Sequence, residues 1–145
     1  MSQPGMLMDL TGRVLLGLYF LVPGVMKITG FAGMQAYMSQ HGVPLVTPLL
    51  LLTIVLQVGG GLALIAGWQT RLAAFLLAGL VLLICVFMHD FWNHYEGGSQ
   101  AHEMQNFIKN LGIFAGLLIL AARGAPRASV DALRYPVSSS SGATS

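Results

Sequence analysis

The sequence predicts an all-α fold: an integral membrane four-helix bundle with a short amphipathic helix between helices 1 and 2. Two observations predict this class. Of the 145 residues, 55% are hydrophobic and only 8% are charged, whereas an ordinary soluble domain has about 25% charged residues. Four apolar runs also recur along the chain, and a membrane-spanning helix needs about 20 such residues.

These runs form one predicted domain, residues 1–136, with spans at about 10–29, 47–67, 71–91 and 104–123. The first span is expected to begin at Leu10 with Asp9 as its cap. Arg13 and Lys27 lie near its two ends, where long cationic side chains can snorkel to the membrane interfaces. Residues 137–145 are Ser-rich and are expected to form a disordered cytoplasmic tail.

A short surface helix is predicted between the first two spans. Phe31, Met34 and Tyr37 recur there at helical spacing among polar residues, which is typical of an amphipathic helix that lies on the membrane. The second span then begins at Thr47 as N-cap, with Pro48 at the first helical position.

Small residues within the spans predict close helix packing. In membranes, residues such as glycine and alanine at four-residue intervals let two helices approach. Three sets have this spacing: Gly59, Ala63 and Gly67 in the second span, Ala74 and Ala78 in the third, and Gly112 and Gly116 in the fourth.

The distribution of charge predicts the orientation. Five arginines fall on the side of the termini and two lysines on the other, and basic residues favour the cytoplasmic side. We therefore expect a multi-pass protein of the bacterial inner membrane with both termini in the cytoplasm. The lone Cys85 lies within an apolar run and is interpreted as a core residue.

Polar side chains from three predicted helix ends converge on the outer rim. Lys27, His89 and Asn110 are among them, and Gln57 lies below them near the middle of the bilayer. The alternative is that the lysines only snorkel and His89 only caps a helix, but polar groups in spans usually point into the bundle and often mark a site. The predicted ligand-binding residues are Lys27, Gln57, His89, Trp92, Lys109 and Asn110.

A quinone or another small hydrophobic ligand suits this set. Lysine and amide groups can donate to a ligand oxygen, and histidine can carry a proton at neutral pH. His89 is accordingly the best candidate for a catalytic residue, although the residues alone assign no reaction.

Other classes of site are disfavoured. His89, His94, His102 and Glu103 have ligand-type side chains but no metal-binding spacing, and neither a haem CxxCH nor a GxGxxG motif occurs. No metal or haem is therefore predicted. Basic residues do not cluster, which argues against nucleic acid.

Five segments in order resemble the DoxX family of four-helix membrane proteins, which is linked to subunits of thiosulfate:quinone oxidoreductase. They are GRVLLGLYFLVPGVMKITGF (12–31), YMSQHGVPL (37–45), QVGGGLALIAGWQTRLAA (57–74), FMHDFWNH (87–94) and FIKNLGIFAGLLIL (107–120). The resemblance implies an inner-membrane protein near quinone or thiol redox chemistry, with Lys27, His89, Trp92, Lys109 and Asn110 at recurring positions. One departure is Gln57, where the family commonly has a glutamate that could relay a proton.

The expected function is therefore that of a membrane subunit of a redox system, accessory to a quinone-linked oxidoreductase, with quinone as the expected cofactor. The expected partners are membrane lipids, a redox partner protein and further copies of the chain. The alternative is a non-enzymatic membrane scaffold or stress-response interaction protein. A small-solute carrier is less favoured, because four spans without a visible internal repeat do not suggest alternating access.

Overall fold

The structure, a computed structural model, describes residues 3–94, 98–125 and 128–134. Its described residues form six helices: α1 (Gln3–Thr29), α2 (Phe31–Gln40), α3 (Val46–Ala66), α4 (Thr70–Met88), α5 (Gln100–Arg123) and α6 (Val130–Arg134). The predicted tail at 137–145 lies outside the described residues.

Four of these helices confirm the predicted membrane bundle. α1, α3, α4 and α5 are each long and apolar enough to cross a membrane. Large apolar side chains on their outer surfaces are exposed, as at Leu15, Val55 and Phe75. Because water would not tolerate such a surface, these side chains face lipid.

The helices pack in the order α1, α3, α4, α5. α1 packs most extensively against α3, and α4 packs most extensively against α5. α3 also packs against α4 and so connects the two pairs, whereas α1 and α5 are in direct contact at few positions. Phe20, Leu64, Leu77 and Leu117 are fully buried where the helices meet. The seam between α1 and α5 is therefore the least filled side of the bundle.

Glycines set the close crossing of α1 and α3. A Cβ placed on Gly17 would lie 2.6 Å from the carbonyl oxygen of Gly61, and one placed on Gly61 would lie 2.7 Å from that of Gly17. In contrast, nothing lies within 4 Å of a Cβ placed on Gly59, Gly112 or Gly116. The predicted contact at those three positions is wrong within the described chain, because no neighbouring helix comes close to these glycines.

The two ends of the bundle differ in chemistry. One end, the His89 end, holds the C-terminal ends of α1 and α4, the N-terminal ends of α3 and α5, and α2. There α2 buries Met38 against Val43 and Leu50 in a second small core. The other, the Arg13 end, holds the opposite termini and α6.

Arg13 is a buried cation that joins three segments at its end of the bundle. Only 1% of the residue is exposed. Its guanidinium donates to Asp9 Oδ2 at 3.0 Å, to the Leu64 carbonyl at 3.2 Å and to the Ala128 carbonyl at 2.8 Å. Arg13 does not snorkel, and Asp9 lies inside α1 rather than capping it, because α1 begins at Gln3.

The short helix α6 closes this end. The Asp131 carboxylate accepts hydrogen bonds from the backbone N–H groups of Gln69 at 2.7 Å and Thr70 at 2.9 Å, and so caps the start of α4. Burial alone would raise the pKa of Asp131, but these two donors and the charge of Arg134 hold that pKa below its usual value. The Asp131 N–H in turn donates to the Gly67 carbonyl at 2.9 Å.

Gly67 must be a glycine at this junction. Its φ of +67° lies in the left-handed region, and a Cβ there would collide with Arg13 and Ser129. It ends α3 as the C-cap residue, so the chain can turn into α4 directly above the buried arginine.

Several helix boundaries differ from those expected. α3 begins at Val46 after Leu45, so Thr47 does not cap this helix. The Thr47 hydroxyl instead accepts a hydrogen bond from Gln35 at 2.7 Å, which connects α2 to α3. α4 ends at Met88, so that His89 is its C-cap residue. α5 begins at Gln100 because the Ser99 side chain caps it, accepting from the His102 N–H.

Candidate functional site

A cavity of about 450 Å³ opens at the α1–α5 seam near the His89 end. Its walls come from α1, α3, α4 and α5 and from the residue that ends α4. The lining residues are Leu18, Tyr19, Phe20, Val22, Pro23, Lys27, Gln57, Val81, Ile84, His89 and Asn110. Four of the six predicted ligand-binding residues therefore line one cavity: Lys27, Gln57, His89 and Asn110.

Gln57 lines this cavity and carries a buried polar atom without a partner. Only 4% of the residue is exposed, and its Oε1 has no hydrogen-bond partner among the described residues. Gly24 permits this arrangement, because a Cβ there would lie 2.9 Å from the Gln57 Cβ. A buried acceptor without a partner costs about 1–3 kcal/mol, so Gln57 is held in this position at a cost in stability.

Lys27 supplies the positive charge. It lies in the last turn of α1 and is half-buried, and within the described chain no carboxylate lies within ion-pair distance of it. The ammonium group thus borders a largely apolar cavity without a neutralising partner. A ligand oxygen would provide one.

His89 is held by a carboxylate from the next helix. Its Nδ1 lies 2.7 Å from Glu103 Oε2, and both side chains are 19% exposed. Glu103 occupies the first turn of α5, so the N-cap at Ser99 sets its position. Because Nδ1 is occupied by Glu103, the nitrogen of His89 that is left for a ligand is Nε2.

A hydrogen bond between Tyr19 and Asn110 connects α1 to α5 beside the cavity. The Tyr19 hydroxyl donates to Asn110 Oδ1 at 3.0 Å, and Asn110 is buried. The Tyr19 ring also packs edge-on against Phe20 at 5.2 Å. Sequence reasoning missed Tyr19, although its spacing from Lys27, two helical turns away, could have placed it on the same face.

Lys109 and Trp92 do not line the cavity. Lys109 is exposed and donates to Asn106 Oδ1 at 2.9 Å; it precedes Asn110 directly, and adjacent residues on a helix point in directions about 100° apart. Trp92 is 50% exposed and packs edge-on against Phe91 at 5.2 Å and Phe107 at 6.1 Å. Both residues belong to the outer surface of the His89 end.

A second histidine–carboxylate pair lies nearby and was not predicted. His41 Nδ1 lies 3.1 Å from Asp90 Oδ1, and both side chains are buried. Asn93 donates to the other oxygen of Asp90 at 2.7 Å. This pair fastens the end of α2 to the turn that follows α4, next to His89.

The described residues offer no grouping of three or more His, Cys, Asp or Glu side chains that could hold a metal ion. Glu103 and His89, two of the residues considered as metal ligands, pair with each other instead. The site is therefore composed of an amide, a cation, an imidazole and a second amide held by a phenol.

Comparison with known proteins provides three findings. Residues 8–90 match the family model described as DoxX. The chain is 41% identical over 124 residues to the inner membrane protein YqjF of Escherichia coli (strain K12), covering 86% of this chain and 89% of that protein. It is 30% identical over 122 residues to the inner membrane protein YphA of the same organism, covering 84% and 86%. No solved structure matches the chain.

Proposed function

The chain belongs to the DoxX family of multi-pass inner-membrane proteins, and we propose that it binds a quinone-type ring compound in the cavity between α1 and α5, as the membrane subunit of a redox system. The observation that carries the proposal is the convergence of Lys27, Gln57 and His89 on one largely apolar cavity, where Gln57 is buried and no carboxylate of the described residues pairs with Lys27. Polar groups are expensive at this depth in a membrane protein, and they commonly mark a ligand site.

The size of the cavity supports this ligand class. Its volume of about 450 Å³ falls in the range of small-molecule sites, about 300–1,000 Å³. Most of the wall is apolar, and the polar groups are few and convergent. Such a lining suits a flat ring with one or two oxygens.

The entrance of the cavity supports a ligand that arrives from the bilayer. Leu18, Tyr19 and Val22 line the cavity and also expose more than a third of their surface on α1. In a membrane bundle that surface is in contact with lipid. An apolar tail could therefore remain in the acyl chains while the ring reaches Gln57.

Each polar group of the cavity has a different interaction with the ligand. Lys27 donates to a ring oxygen and compensates negative charge on it. Gln57 hydrogen-bonds the ring from below. His89, oriented by Glu103, accepts or returns a proton at the rim, where the pair is partly exposed to solvent.

Identification of the co-purifying molecules tests the proposal. The protein is purified in mild detergent and extracted with solvent, and the extract is compared by mass spectrometry with that of the Lys27→Ala, His89→Ala double variant. The matched control is Lys109→Ala, His102→Ala, which removes the same residue types from exposed positions. We expect a quinone with the wild type and the control, and none with the cavity variant. Only bulk phospholipid in all three samples would refute the proposal.

A further inference from the structure

We propose that a second cavity, at the Arg13 end of the α1–α5 seam, binds an anionic phospholipid. This cavity, the Arg13-end cavity, has a volume of about 480 Å³ and lies between residues 5–16 of α1 and residues 116–124 around the C-terminal end of α5. It shares no lining residue with the cavity assigned to the ring compound. The two sites are therefore independent and can be tested separately.

Two glycines leave the space for this cavity. Gly12 of α1 and Gly116 of α5 both line it, and nothing lies within 4 Å of a Cβ placed on either residue. Leu16 and Ile119 form apolar walls beside them, and Ile119 is 56% exposed. Because this part of the bundle lies in the membrane, the cavity is open to the bilayer, and an acyl chain can lie in it.

Two arginines bring positive charge to one end of the cavity. Arg123 lines the cavity from the last turn of α5, and Arg71 packs against Gly124, where an added Cβ would lie 3.1 Å from the Arg71 Nε. Both arginines are exposed, and within the described chain no carboxylate lies within ion-pair distance of either. The contact of Arg71 with the Arg123 carbonyl is long, 3.5 Å, so most of its N–H donors remain available.

The other charged groups of the cavity pair with each other. Arg13 lines the cavity, but its guanidinium already donates to Asp9, Leu64 and Ala128. Asp9 is the one carboxylate among the lining residues, and Arg13 Nε lies 3.0 Å from its Oδ2. The last carbonyls of α5 carry partial negative charge and oppose an anion. A preference for an anion therefore depends on Arg71 and Arg123.

The order of these groups along the seam matches an amphiphilic molecule. Arg123 and Gly116 are seven residues apart on α5, which is about 10 Å along the helix axis. The charge at the end of the span and the apolar space deeper in the membrane correspond to a phosphate and an acyl chain. A soluble anion would use only the arginines, and a neutral lipid only the apolar space. Basic pockets between spanning helices commonly bind anionic headgroups.

Competition between lipids of different charge tests the proposal. The full chain in mild detergent is incubated with equal amounts of dioleoyl phosphatidylglycerol, which is anionic, and dioleoyl phosphatidylcholine, which is zwitterionic and has the same acyl chains. Native mass spectrometry then counts the bound lipids. We expect one phosphatidylglycerol per chain at an excess of at least about tenfold, since each arginine near an anionic headgroup contributes about a factor of five and the carbonyls of α5 oppose it. Inorganic phosphate at the same concentration should not displace the lipid.

Charge variants assign the preference to the two arginines. Arg71→Gln, Arg123→Gln should bring the ratio of the two bound lipids close to one and leave the binding of phosphatidylcholine nearly unchanged. The matched control is Lys109→Gln, Arg134→Gln, which removes the same number of cations from exposed positions outside the cavity. This control should keep the preference of the wild type.

A size variant assigns the acyl chain to the cavity. Gly116→Leu fills the space without removing a charge, and it need not disturb the packing because no atom lies within 4 Å of the added Cβ. It should reduce the retention of both lipids. Gly59→Leu, which also extends into open space but lies outside this cavity, should leave the retention of both unchanged.

Several outcomes would overturn the proposal. Equal retention of the two lipids by the wild type would show that charge has no part in binding. An equal loss of preference in both double variants would show a general attraction of the whole protein for anionic lipid. Displacement by inorganic phosphate would indicate a site for a free anion, and a lipid-free dimer that is lost in Gly116→Leu would assign the cavity to a second copy of the chain.

Discussion

Replacement of Arg13 by methionine should lower the stability of the bundle markedly. The variant keeps a flexible apolar side chain of similar length but removes the guanidinium that joins α1, the end of α3 and the segment before α6. No other described residue donates to the Ala128 carbonyl. α1 and the segment before α6 would then lose their direct polar link at this end.

The magnitude follows from the three hydrogen bonds. A bond from a charged donor contributes about 1.5–3 kcal/mol, which we assign to the 2.8 Å bond to Ala128. The Leu64 carbonyl also accepts from the Gly67 N–H, so its loss costs about 1 kcal/mol. The partly exposed pair with Asp9 is an i,i+4 contact of about 0.5 kcal/mol. Removing a buried charge also relieves desolvation, so we expect a net loss of about 2–4 kcal/mol.

The protein carries its own probe for this measurement. Its single cysteine, Cys85, is fully buried in the core, so a fluorogenic maleimide reacts with it only when the bundle opens. Thermal unfolding in detergent followed by this reaction should show the Arg13→Met midpoint at least about 5 °C below that of the wild type.

Two further variants make the measurement decisive. Arg71→Met removes an exposed arginine at the same end, whose contact with the Arg123 carbonyl is long, 3.5 Å, and should cost less than about 1 kcal/mol. Arg13→Lys should give an intermediate midpoint, because one ammonium lacks the planar fork that reaches three acceptors. Equal shifts for Arg13→Met and Arg71→Met would refute the argument that burial and geometry make Arg13 different.

Two other predictions use the same thermal assay. The carboxyl of Asp131 has a pKa below its ordinary value of 3.8. Its contribution to stability is therefore complete above pH 3.8 and is lost as the pH falls through the lower pKa of the folded state. Asp131→Asn should flatten this part of the profile of stability against pH, and an unchanged profile would contradict the role of Asp131 as the cap of α4. Gly61→Ala should destabilise the protein by about 1–3 kcal/mol, because its methyl group would overlap the Gly17 backbone. Gly59→Ala, with open space around it, should be neutral or slightly stabilising, and a similar loss in both variants would count against the α1–α3 crossing.

The membrane bundle could be predicted because long apolar runs have few alternatives. Hydrophobic length alone places α1, α3, α4 and α5 in the bilayer, and the short α2 follows from its amphipathic spacing. The rotation of each helix about its axis could not be predicted in this way. It decides that Gly17 and Gly61 meet while Gly59 and Gly116 have no close neighbour, and it depends on tertiary packing that periodicity does not describe.

The candidate site, like the fold, could be predicted only in part. The concentration of polar residues at helix ends grouped Lys27, Gln57, His89 and Asn110 correctly in space, because the chain offers few other polar residues within its spans. Lys109 was grouped with them by spacing but is exposed, since one residue of helical rotation separates the inside of the bundle from the outside. The carboxylate partner of His89 comes from another helix, and pairings across such a distance leave no trace in local sequence.

The link between Arg13 and Ala128 spans 115 positions of the chain, and this separation has a consequence for the order in which the protein is made. α1 leaves the ribosome before the other described helices and carries its arginine into the membrane long before the carbonyl that completes its hydrogen bonds has been synthesised. The cap that Asp131 provides for α4 is also synthesised after every spanning helix. The Arg13 end of the bundle can therefore reach its final form only after residue 131 has been synthesised, and a chain ending before residue 128 would retain a partly uncompensated charge in α1.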